Sequence, residues 1–318
     1  MNVHQYRGDC METAHPVRGV AICDDEVAWE SGAPARSPWR SAAKPLQLWC
    51  SLEQAGDPAL SEIELALGAS SHSGQPFHVE ALRALMDRLG IEETWLKCGA
   101  ERPIHRPSGD ALLRASAPFL DIHNDCSGKH TLMLKACAVN GWSLEYRPPE
   151  HPLQRRIAEV AADWCGEAPG LAVDGCGVPV LCLSIEGMAR AWGRMAVAMA
   201  DAPGGRLGRI GWAMANQPRW TSGDDRLDLD VVRAATEPMA VKIGAQGVFC
   251  IAIPGRRMGL AIKSLSGSEV PLGAAVEAAL AAAAPGAWAR PATWPHTEVR
   301  NVIGEVVGRV VGVSERID

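Results

Sequence analysis

Segments with the composition of β-strands lie at both ends of this 318-residue chain, and apolar residues at helical spacing occupy the section between them. Residues 17–31 predict two strands joined by a turn at Asp24 and Asp25, and further strand-like segments follow from residue 239 onward. The simplest arrangement that buries all of these apolar faces unites the strands of both chain ends in one sheet. We therefore expect an α/β (α+β) fold in which a helical section, roughly residues 44–236, is inserted between two β-rich ends.

The individual elements follow from the spacing of apolar residues. The predicted helices of the middle section are two within residues 45–67, broken at Gly56-Asp57-Pro58, and one each at 78–89, 129–139 and 153–164. The predicted late strands are MAVKIG, GVFCIAIP, GLAIK and VRNVIGEVVGRVVGV, with a helix at 274–284 between them. No repeat, linker or low-complexity tract divides the sequence, so we expect one structural unit over residues 1–318.

Composition and charge exclude several classes of function. The formal net charge of −6 lacks the basic surface that binding to a phosphate backbone requires, so nucleic acid is not an expected partner. No run of about 18 uncharged apolar residues predicts a membrane span, and residues 1–16 lack the apolar core of a secretory signal. We therefore expect a cytoplasmic protein whose ten cysteines are reduced.

Ser41 and Lys44 form an S-x-x-K motif at the start of a predicted helix. Three residues are close to one helical turn, so the two side chains can lie on the same face. A serine hydroxyl becomes a strong nucleophile when a base takes its proton, and lysine can be that base once burial lowers its pKa. Pro45 limits regular helix here, so the pair is expected in a first turn. The same spacing is also typical of an N-cap serine followed by a solvated lysine.

Two further segments stand in the order that serine β-lactamases and penicillin-binding proteins show for their motifs S-x-x-K, S-D-N and K-T-G. The loop Ser70-Ser71-His72-Ser73-Gly74 is dense in hydroxyl groups, and Lys242 begins a K-x-G motif on a late predicted strand. The loop has His72 and Ser73 where S-D-N has Asp and Asn, and Ile243 stands where K-T-G has Thr. Turn chemistry and a solvated lysine explain each segment alone, whereas their shared order favours a common site.

Two glycine-containing segments supply candidate ligands. NDCSGKH at 124–130 leads into a predicted helix, and a helix N-terminus lowers the pKa of a cysteine, so Cys126 could be reactive or bind a metal. VDGCGVP at 173–179 predicts a strand that ends in a glycine-rich turn before another helix. Neither segment is a nucleotide-binding motif, because the first departs from the P-loop and the second lacks the third glycine of a dinucleotide fingerprint. Structural turns are the alternative for both.

Taken together, seven segments resemble the bacterial asparaginase II family typified by the rhizobial L-asparaginases, and they span most of the chain. They are RSAAKPLQ at 40–47, SSHSGQPFHVEALR at 70–83, CGAERPIH at 98–105, NDCSGKH at 124–130, HPLQRRI at 151–157, VDGCGVP at 173–179 and VKIGAQGV at 241–248. The resemblance implies a single β-lactamase-like catalytic unit related to glutaminases, a homodimer, and hydrolysis of L-asparagine to L-aspartate and ammonia.

The resemblance also implies that two adjacent serine-lysine pairs are catalytic. The pairs are Ser41 with Lys44 and Ser71 with Lys242. Ser70 and Ser73 compete with Ser71 for its position, and the register of the S-H-x-G segment favours Ser71. In the expected mechanism, neutral Lys44 accepts the proton of Ser41, which attacks the side-chain amide. The second pair would relay protons and help to activate water.

A zinc site near the active centre is a further implication of the resemblance. Its ligands would be Cys126, Lys129 and Cys176. Lysine is an unusual zinc ligand because it must lose a proton, so spacing alone does not predict this site. The expected substrate-binding residues are Arg40, Gly128, His130 and Asp174.

Three alternatives remain open at this point. A glutaminase or another small-amide hydrolase would use the same machinery with a pocket of different length. A cysteine amidase would use Cys126 as its nucleophile and His130, about one helical turn later, as the base. A protein of another class would bind a small molecule in the same pocket without turnover.

Overall fold

The computed structural model describes residues 1–313, in which strands lie at both ends and helices in the middle. The strands are β1 (Asn2–Arg7), β2 (Cys10–Cys23), β3 (Glu26–Ser31), β4 (Arg36–Pro38), β5 (Gly170–Val173), β6 (Pro179–Ser184), β7 (Ala240–Gly244), β8 (Val248–Ile253), β9 (Met258–Ser264), β10 (Glu298–Arg300) and β11 (Val306–Val313). The helices are α1 (Lys44–Gln54), α2 (Glu62–Gly68), α3 (Pro76–Leu89), α4 (Arg106–Arg114), α5 (Ser127–Asn140), α6 (Pro152–Cys165), α7 (Ile185–Asp201), α8 (Arg206–Asn216), α9 (Pro218–Thr221), α10 (Leu227–Arg233) and α11 (Leu272–Ala283).

Strands from both chain ends form one antiparallel sheet, which confirms the central prediction from the sequence. The strand order is β10-β11-β1-β2-β9-β8-β7, and β3 also pairs with β2. Strand β1 pairs with β11 on one side and with β2 on the other, so it joins the two ends of the chain. The predicted hairpin at 17–31 is also confirmed, and both Asp24 and Asp25 adopt the positive φ that a tight hairpin turn requires.

Helices bury both faces of this sheet, because side chains alternate along each strand. On β8, Cys250 and Ala252 belong to the core that includes α7, whereas Phe249 and Ile251 belong to the core that includes α11. Helix α7 lies so close to β9 that a Cβ added to Gly259 would be 2.0 Å from the backbone nitrogen of Gly193. The sheet is therefore the middle layer between helices.

The helices predicted from apolar spacing are all present, with small shifts at their ends. Helices α1 and α2 are the two expected within 45–67, and α3, α5, α6 and α11 cover the other predicted ranges. Helix α5 ends at Asn140, followed by Gly141 at a left-handed C-cap. Within residues 1–313, no helix has the length and apolar character that crossing a membrane would need.

One element of the sequence prediction is wrong. The glycine-rich turn after Val173 is expected to lead into a helix, but it leads into β6, which pairs with β5 and β4 in a second, three-stranded sheet. Helix α7 begins only at Ile185. The sequence of β6, PVLCLS, is apolar at nearly every position, a pattern that fits a buried strand and a buried helix equally well.

Helix α5 begins against α2, and Gly128 makes this contact possible. A Cβ at position 128 would lie 2.1 Å from the carbonyl oxygen of Leu67 in α2. We expect Gly128→Ala to lower the free energy of unfolding by about 3 kcal/mol, because one of the two helices must shift. Unfolding in denaturant measures this, with Gly204→Ala as the control because a Cβ there meets open space. A loss below about 0.5 kcal/mol would contradict the packing role.

Candidate active site

A cavity of about 480 Å³ lies where loops of the helical section meet the end of β7. Its lining comes from residues 40–41, 98–101, 104, 124–126 and 174–176, together with Ala245 directly after β7. These positions fall in five of the seven segments that carry the family resemblance, so the fold brings separate motifs to one place. A larger cavity of about 600 Å³ shares Ile104 with it but is lined by none of the predicted site residues.

Lys44 lies beneath this cavity, in the first turn that Pro45 predicts. Residues Arg40–Ala43 form a short 3-10 helix, and α1 continues from Lys44 with Pro45 at its start. The Lys44 side chain is buried, and its Nζ donates to Ser71 Oγ at 2.8 Å and to Asp125 Oδ2 at 3.2 Å. Ser41 instead lines the cavity. The hydrogen-bond pairing therefore differs from the expected one, because Lys44 is bonded to Ser71 and not to Ser41.

The three serines of the 70–73 loop make different hydrogen bonds. Ser70 Oγ donates to the carbonyl oxygen of Leu67 at 2.7 Å, and Ser73 Oγ donates to that of Ser222 at 2.8 Å. Only Ser71 among the three accepts a hydrogen bond from a lysine. Since the hydroxyls of Ser70 and Ser73 are bonded to backbone carbonyls, the geometry favours Ser71 over its two neighbours, as the sequence register does.

His72, next to Ser71, is a fixed neutral side chain. Its Nδ1 accepts a hydrogen bond from the backbone of Gly74 at 3.1 Å, so the proton lies on Nε2, which is 2.8 Å from Ser127 Oγ. Burial and the neighbouring His78 hold the pKa of His72 well below its usual value. His72 therefore links the serine loop to the start of α5 and is unsuited to take up a proton.

The protonation of Lys44 differs from the expectation of a neutral base. Burial is the largest single effect and lowers its pKa, but the negative charge of Asp125, together with the charges of Cys126 and Cys176, more than offsets it, so the net pKa is raised. Burial likewise raises the pKa of Asp125, while the positive charges of Lys44 and Lys242 bring it well below its usual range. Lys44 and Asp125 thus form an ion pair, in which Lys44 is an ammonium that donates to Ser71.

Lys242 is the lysine of the site that burial brings close to neutrality at pH 7. It lies on β7, which packs against the 3-10 helix that carries Ser41. Its pKa is lowered to about 7. Burial is the largest cause, the charge of Asp228 opposes it, and the charge of Lys44 adds to it. Its Nζ donates to the carbonyl oxygen of Ile243 at 2.8 Å. Among the hydrogen bonds of residues 1–313, none joins it to Ser71, so that predicted pair is not hydrogen-bonded.

Cys126, Lys129 and Cys176 converge, as the resemblance implies. Lys129 Nζ donates to Cys176 Sγ at 3.3 Å, and all three side chains are buried. The hydrogen bond from Cys126 and the charge of Lys129 lower the pKa of Cys176, whereas the pKa of Cys126 is raised well above its usual value. The two sulfurs therefore share one proton, with Cys176 as the thiolate and Cys126 as the thiol.

This cluster offers zinc two sulfur donors and one amine. Thiolate ligands and tetrahedral sites are typical of zinc, and the donor set fits once Lys129 has lost a proton. The residues 1–313 contain no group of three or more His, Cys, Asp or Glu side chains arranged to hold a metal. A zinc site here therefore depends on the lysine as third protein ligand. His130 lies behind the cluster, with Nδ1 2.6 Å from Tyr146 OH.

The four predicted substrate-binding residues separate into two groups. Arg40 and Asp174 line the cavity, with 2.9 Å between Arg40 Nε and Asp174 Oδ1. Arg40 also has a φ of +53°, a strained conformation that is often found at functional sites. Gly128 and His130 are buried beneath the cavity and do not line it. Their contact with substrate therefore stays a prediction.

The profile of the L-asparaginase II family matches residues 3–311. This chain belongs to the L-asparaginase II family. Among solved structures, two of Mglu, one of them in 4.3 M NaCl, are similar with TM-scores of 0.44 and 0.46, identities of 15% and 14%, and coverage of 84% of this chain. A β-lactamase (Mb2281c) from Mycobacterium bovis has a TM-score of 0.40 and 12% identity over 84% of this chain and 94% of its own.

The chain spans only 60% and 65% of the two Mglu chains. No curated protein matches the sequence. Membership of the L-asparaginase II family therefore rests on the family profile.

Two carboxylates of this L-asparaginase II family member are site residues that the sequence interpretation does not select. Asp125 is ion-paired to Lys44, and Glu101 lines the cavity. Both lie inside quoted motif segments, CGAERPIH and NDCSGKH, so their motifs were recognised without their roles. A carboxylate within a motif that accompanies candidate catalytic lysines could have been selected from the sequence, because a buried lysine needs a partner of opposite charge.

Proposed function

We propose that this chain is an amidohydrolase that converts L-asparagine to L-aspartate and ammonia. The observation that carries the proposal is the 2.8 Å hydrogen bond from buried Lys44 to Ser71, directly beneath a cavity that Ser41 lines. Membership of the L-asparaginase II family supports the reaction class and the substrate. A half-buried serine at the cavity wall, above a buried serine-lysine pair, suits acyl transfer, in which a hydroxyl attacks a carbonyl carbon.

In the proposed reaction, Ser41 is the nucleophile and Lys242 the final proton acceptor. Lys44 is held as an ammonium by Asp125 and cannot accept the proton of Ser41. The pKa of Lys242, about 7, makes a neutral amine available near neutral pH. Lys44 holds the Ser71 hydroxyl in position through the hydrogen bond that it donates. This revises the expected mechanism, in which Lys44 is the base.

Each bond change follows from these roles. The Ser41 hydroxyl proton moves to Lys242 while the serine oxygen bonds to the side-chain amide carbon, which gives a tetrahedral intermediate. The carbon–nitrogen bond then breaks and leaves an ester on Ser41, and the proton returns to the leaving nitrogen, which departs as ammonia. Water hydrolyses the ester, releases L-aspartate and restores the Ser41 hydroxyl.

Arg40 is suited to hold the α-carboxylate of the substrate. Its guanidinium carries five N–H donors in a planar fork, so its ion pair with Asp174 leaves donors for a second carboxylate. Asp174 fixes the orientation of the guanidinium at the wall of the cavity. We therefore assign Arg40 to direct substrate contact and Asp174 to positioning.

The cysteine mechanism is the weaker alternative. Cys126 lines the cavity, but its hydrogen bond to Cys176 and its burial raise its pKa well above the usual value. A thiol in that state is a poor nucleophile. His130 Nδ1 is bonded to Tyr146 OH, and burial lowers the pKa of the imidazole. The residues of the thiol cluster are better suited to ligating zinc.

Zinc held by Cys126, Lys129 and Cys176 is part of the proposal. When bound, it would supply positive charge at the cavity wall and orient the substrate. We expect purified protein to contain about one zinc per chain, and Cys176→Ala to lose it, because two protein ligands cannot replace three. Elemental analysis measures this, with Cys182→Ala as the control, since Cys182 lies on β6 outside the cavity.

Activity of Cys176→Ala is expected to fall less than that of Ser41→Ala, because zinc is assigned to substrate positioning. Full zinc content in Cys176→Ala, or metal-free wild-type protein with unchanged substrate affinity, would contradict the zinc site.

The remaining parts of the proposal are a homodimer, which the family resemblance supports, and a cytoplasmic location, which is an expectation from the sequence alone. Sedimentation of the purified protein measures the oligomeric state. A monomer at enzyme-assay concentrations would remove the dimer from the proposal.

Release of ammonia from L-asparagine, measured beside L-glutamine and a chromogenic β-lactam, tests the proposed function. We expect turnover of L-asparagine to exceed that of L-glutamine, and no opening of the β-lactam. If L-glutamine is turned over faster, the proposed substrate is wrong and the proposed amide hydrolysis remains. Tight binding of L-asparagine without ammonia would support the small-molecule binding protein instead.

A further inference from the structure

The charges that line the active-site cavity are balanced except at one residue. Arg40 is paired with Asp174, and Asp125 is paired with Lys44 beneath the cavity floor. Glu101 also lines the cavity, but it has no ion pair or side-chain hydrogen bond within residues 1–313. The cavity therefore presents one carboxylate whose charge no side chain of the described chain neutralises.

The loop that carries Glu101 is fixed to the rest of the site. The Asn124 side-chain amide donates to the carbonyl oxygens of Cys98 and Gly99, each at 3.1 Å. The backbone of Gly99 donates to Asp121 Oδ1 at 2.7 Å. Asn124 directly precedes Asp125. Its hydrogen bonds to Cys98 and Gly99, just before Glu101, therefore set the position of Glu101 relative to the Lys44–Asp125 pair.

The surroundings of Glu101 also favour a cationic ligand. Burial raises its pKa, and the negative charge of Asp125 raises it further, which marks a region of excess negative potential. A positively charged group in the cavity would be attracted there. Because Glu101 is exposed to solvent, an incoming ligand can reach its carboxylate.

An α-amino acid amide carries three groups to be recognised: a carboxylate, an ammonium and the reacting amide. Arg40 is suited to the carboxylate and Ser41 to the amide, so the ammonium is the group without a partner. We propose that Glu101 binds the α-ammonium of the substrate and thereby makes the cavity selective for α-amino acid amides. This inference rests on the proposed function.

The test compares L-asparagine with succinamate, which has the same amide and the same single carboxylate but no α-ammonium. We expect Glu101→Gln to lower kcat/KM for L-asparagine about tenfold more than kcat/KM for succinamate, mainly through KM, because a charged hydrogen bond to the ammonium is lost. Glu101→Asp should restore part of the preference. The control is Glu150→Gln, an exposed carboxylate outside the cavity, which should change neither value.

If Glu101→Gln lowers kcat/KM equally for L-asparagine and succinamate, or for neither, the proposed role of Glu101 is overturned. A second measurement separates this outcome from failure of the proposed function. Calorimetry compares binding of L-aspartate and succinate to the wild-type protein and to Glu101→Gln. We expect the wild type to prefer L-aspartate and the variant to lose that preference, even if neither protein releases ammonia. Wild-type protein that binds L-aspartate no better than succinate would also overturn the inference.

Discussion

Replacing Ser41 by alanine is expected to lower kcat/KM for L-asparagine by about a hundredfold or more, because the variant has no hydroxyl to attack the amide. Ser41 lines the cavity, whereas Ser71 is buried and donates no group to its surface. The loss should appear in kcat, since the hydroxyl contributes little to substrate binding. Steady-state ammonia release measures it, and thermal unfolding should show an intact fold.

Ser37→Ala is the matched control for Ser41→Ala. Ser37 lies on β4, four residues earlier, and its hydroxyl is bonded to the adjacent carbonyl of Pro38 outside the cavity. We expect activity within about twofold of the wild type, because Ser37 does not line the cavity and its hydroxyl is bonded to the backbone. Near-normal turnover in Ser41→Ala would show that another group is the nucleophile. If Cys126→Ala were then inactive, the cysteine mechanism would take its place.

The second large effect is expected for Lys242→Met, which should lower kcat by about a thousandfold, because the general base is removed. Its pKa of about 7 also sets a pH dependence in the wild type. Below pH 7 the lysine is an ammonium and cannot accept a proton, and above pH 7 it is neutral. The rate of L-asparagine hydrolysis should therefore rise with pH through about 7 and then level off.

Lys263→Met provides the matched control. Lys263 is a buried lysine on β9 of the same sheet, with a lowered pKa, and its Nζ donates to the carbonyl oxygen of Ser264 at 2.6 Å. Its Nζ is bonded only to backbone carbonyls among the described residues and the proposed mechanism gives it no role, so kcat and the pH profile should stay close to those of the wild type. A pH profile that keeps its rise near pH 7 in Lys242→Met would show that another group is the base.

Local patterns were sufficient to predict most elements of the fold. The hairpin at 17–31 and the helices α3, α5 and α6 follow from apolar spacing and from turn residues such as Asp24 and Gly141, which act within a few residues of themselves. Strand β1 was not predicted, because its sequence NVHQYR is largely polar. It forms a strand since β2 and β11 supply hydrogen-bond partners on both sides.

The motifs of the site were also visible in the sequence, and the convergence of Cys126, Lys129 and Cys176 agrees with the family resemblance. Segments at 40–44, 124–130 and 173–179 carry residue types suited to the chemistry, and their order along the chain indicated a common site. Residue type and order are properties of the chain itself, so they need no knowledge of contacts.

Contacts between distant residues were decided by the tertiary structure alone. The S-x-x-K spacing suggests that Lys44 meets Ser41, but burial under the 70–73 loop turns its Nζ toward Ser71 and Asp125. The same contact determines protonation, because Asp125 holds Lys44 charged while Lys242, also buried, comes close to neutrality. Sequence therefore determined which groups this protein has for amide chemistry. Only the packing of loops decided which lysine is charged, because a pKa depends on the distances between groups that the chain separates by dozens of residues.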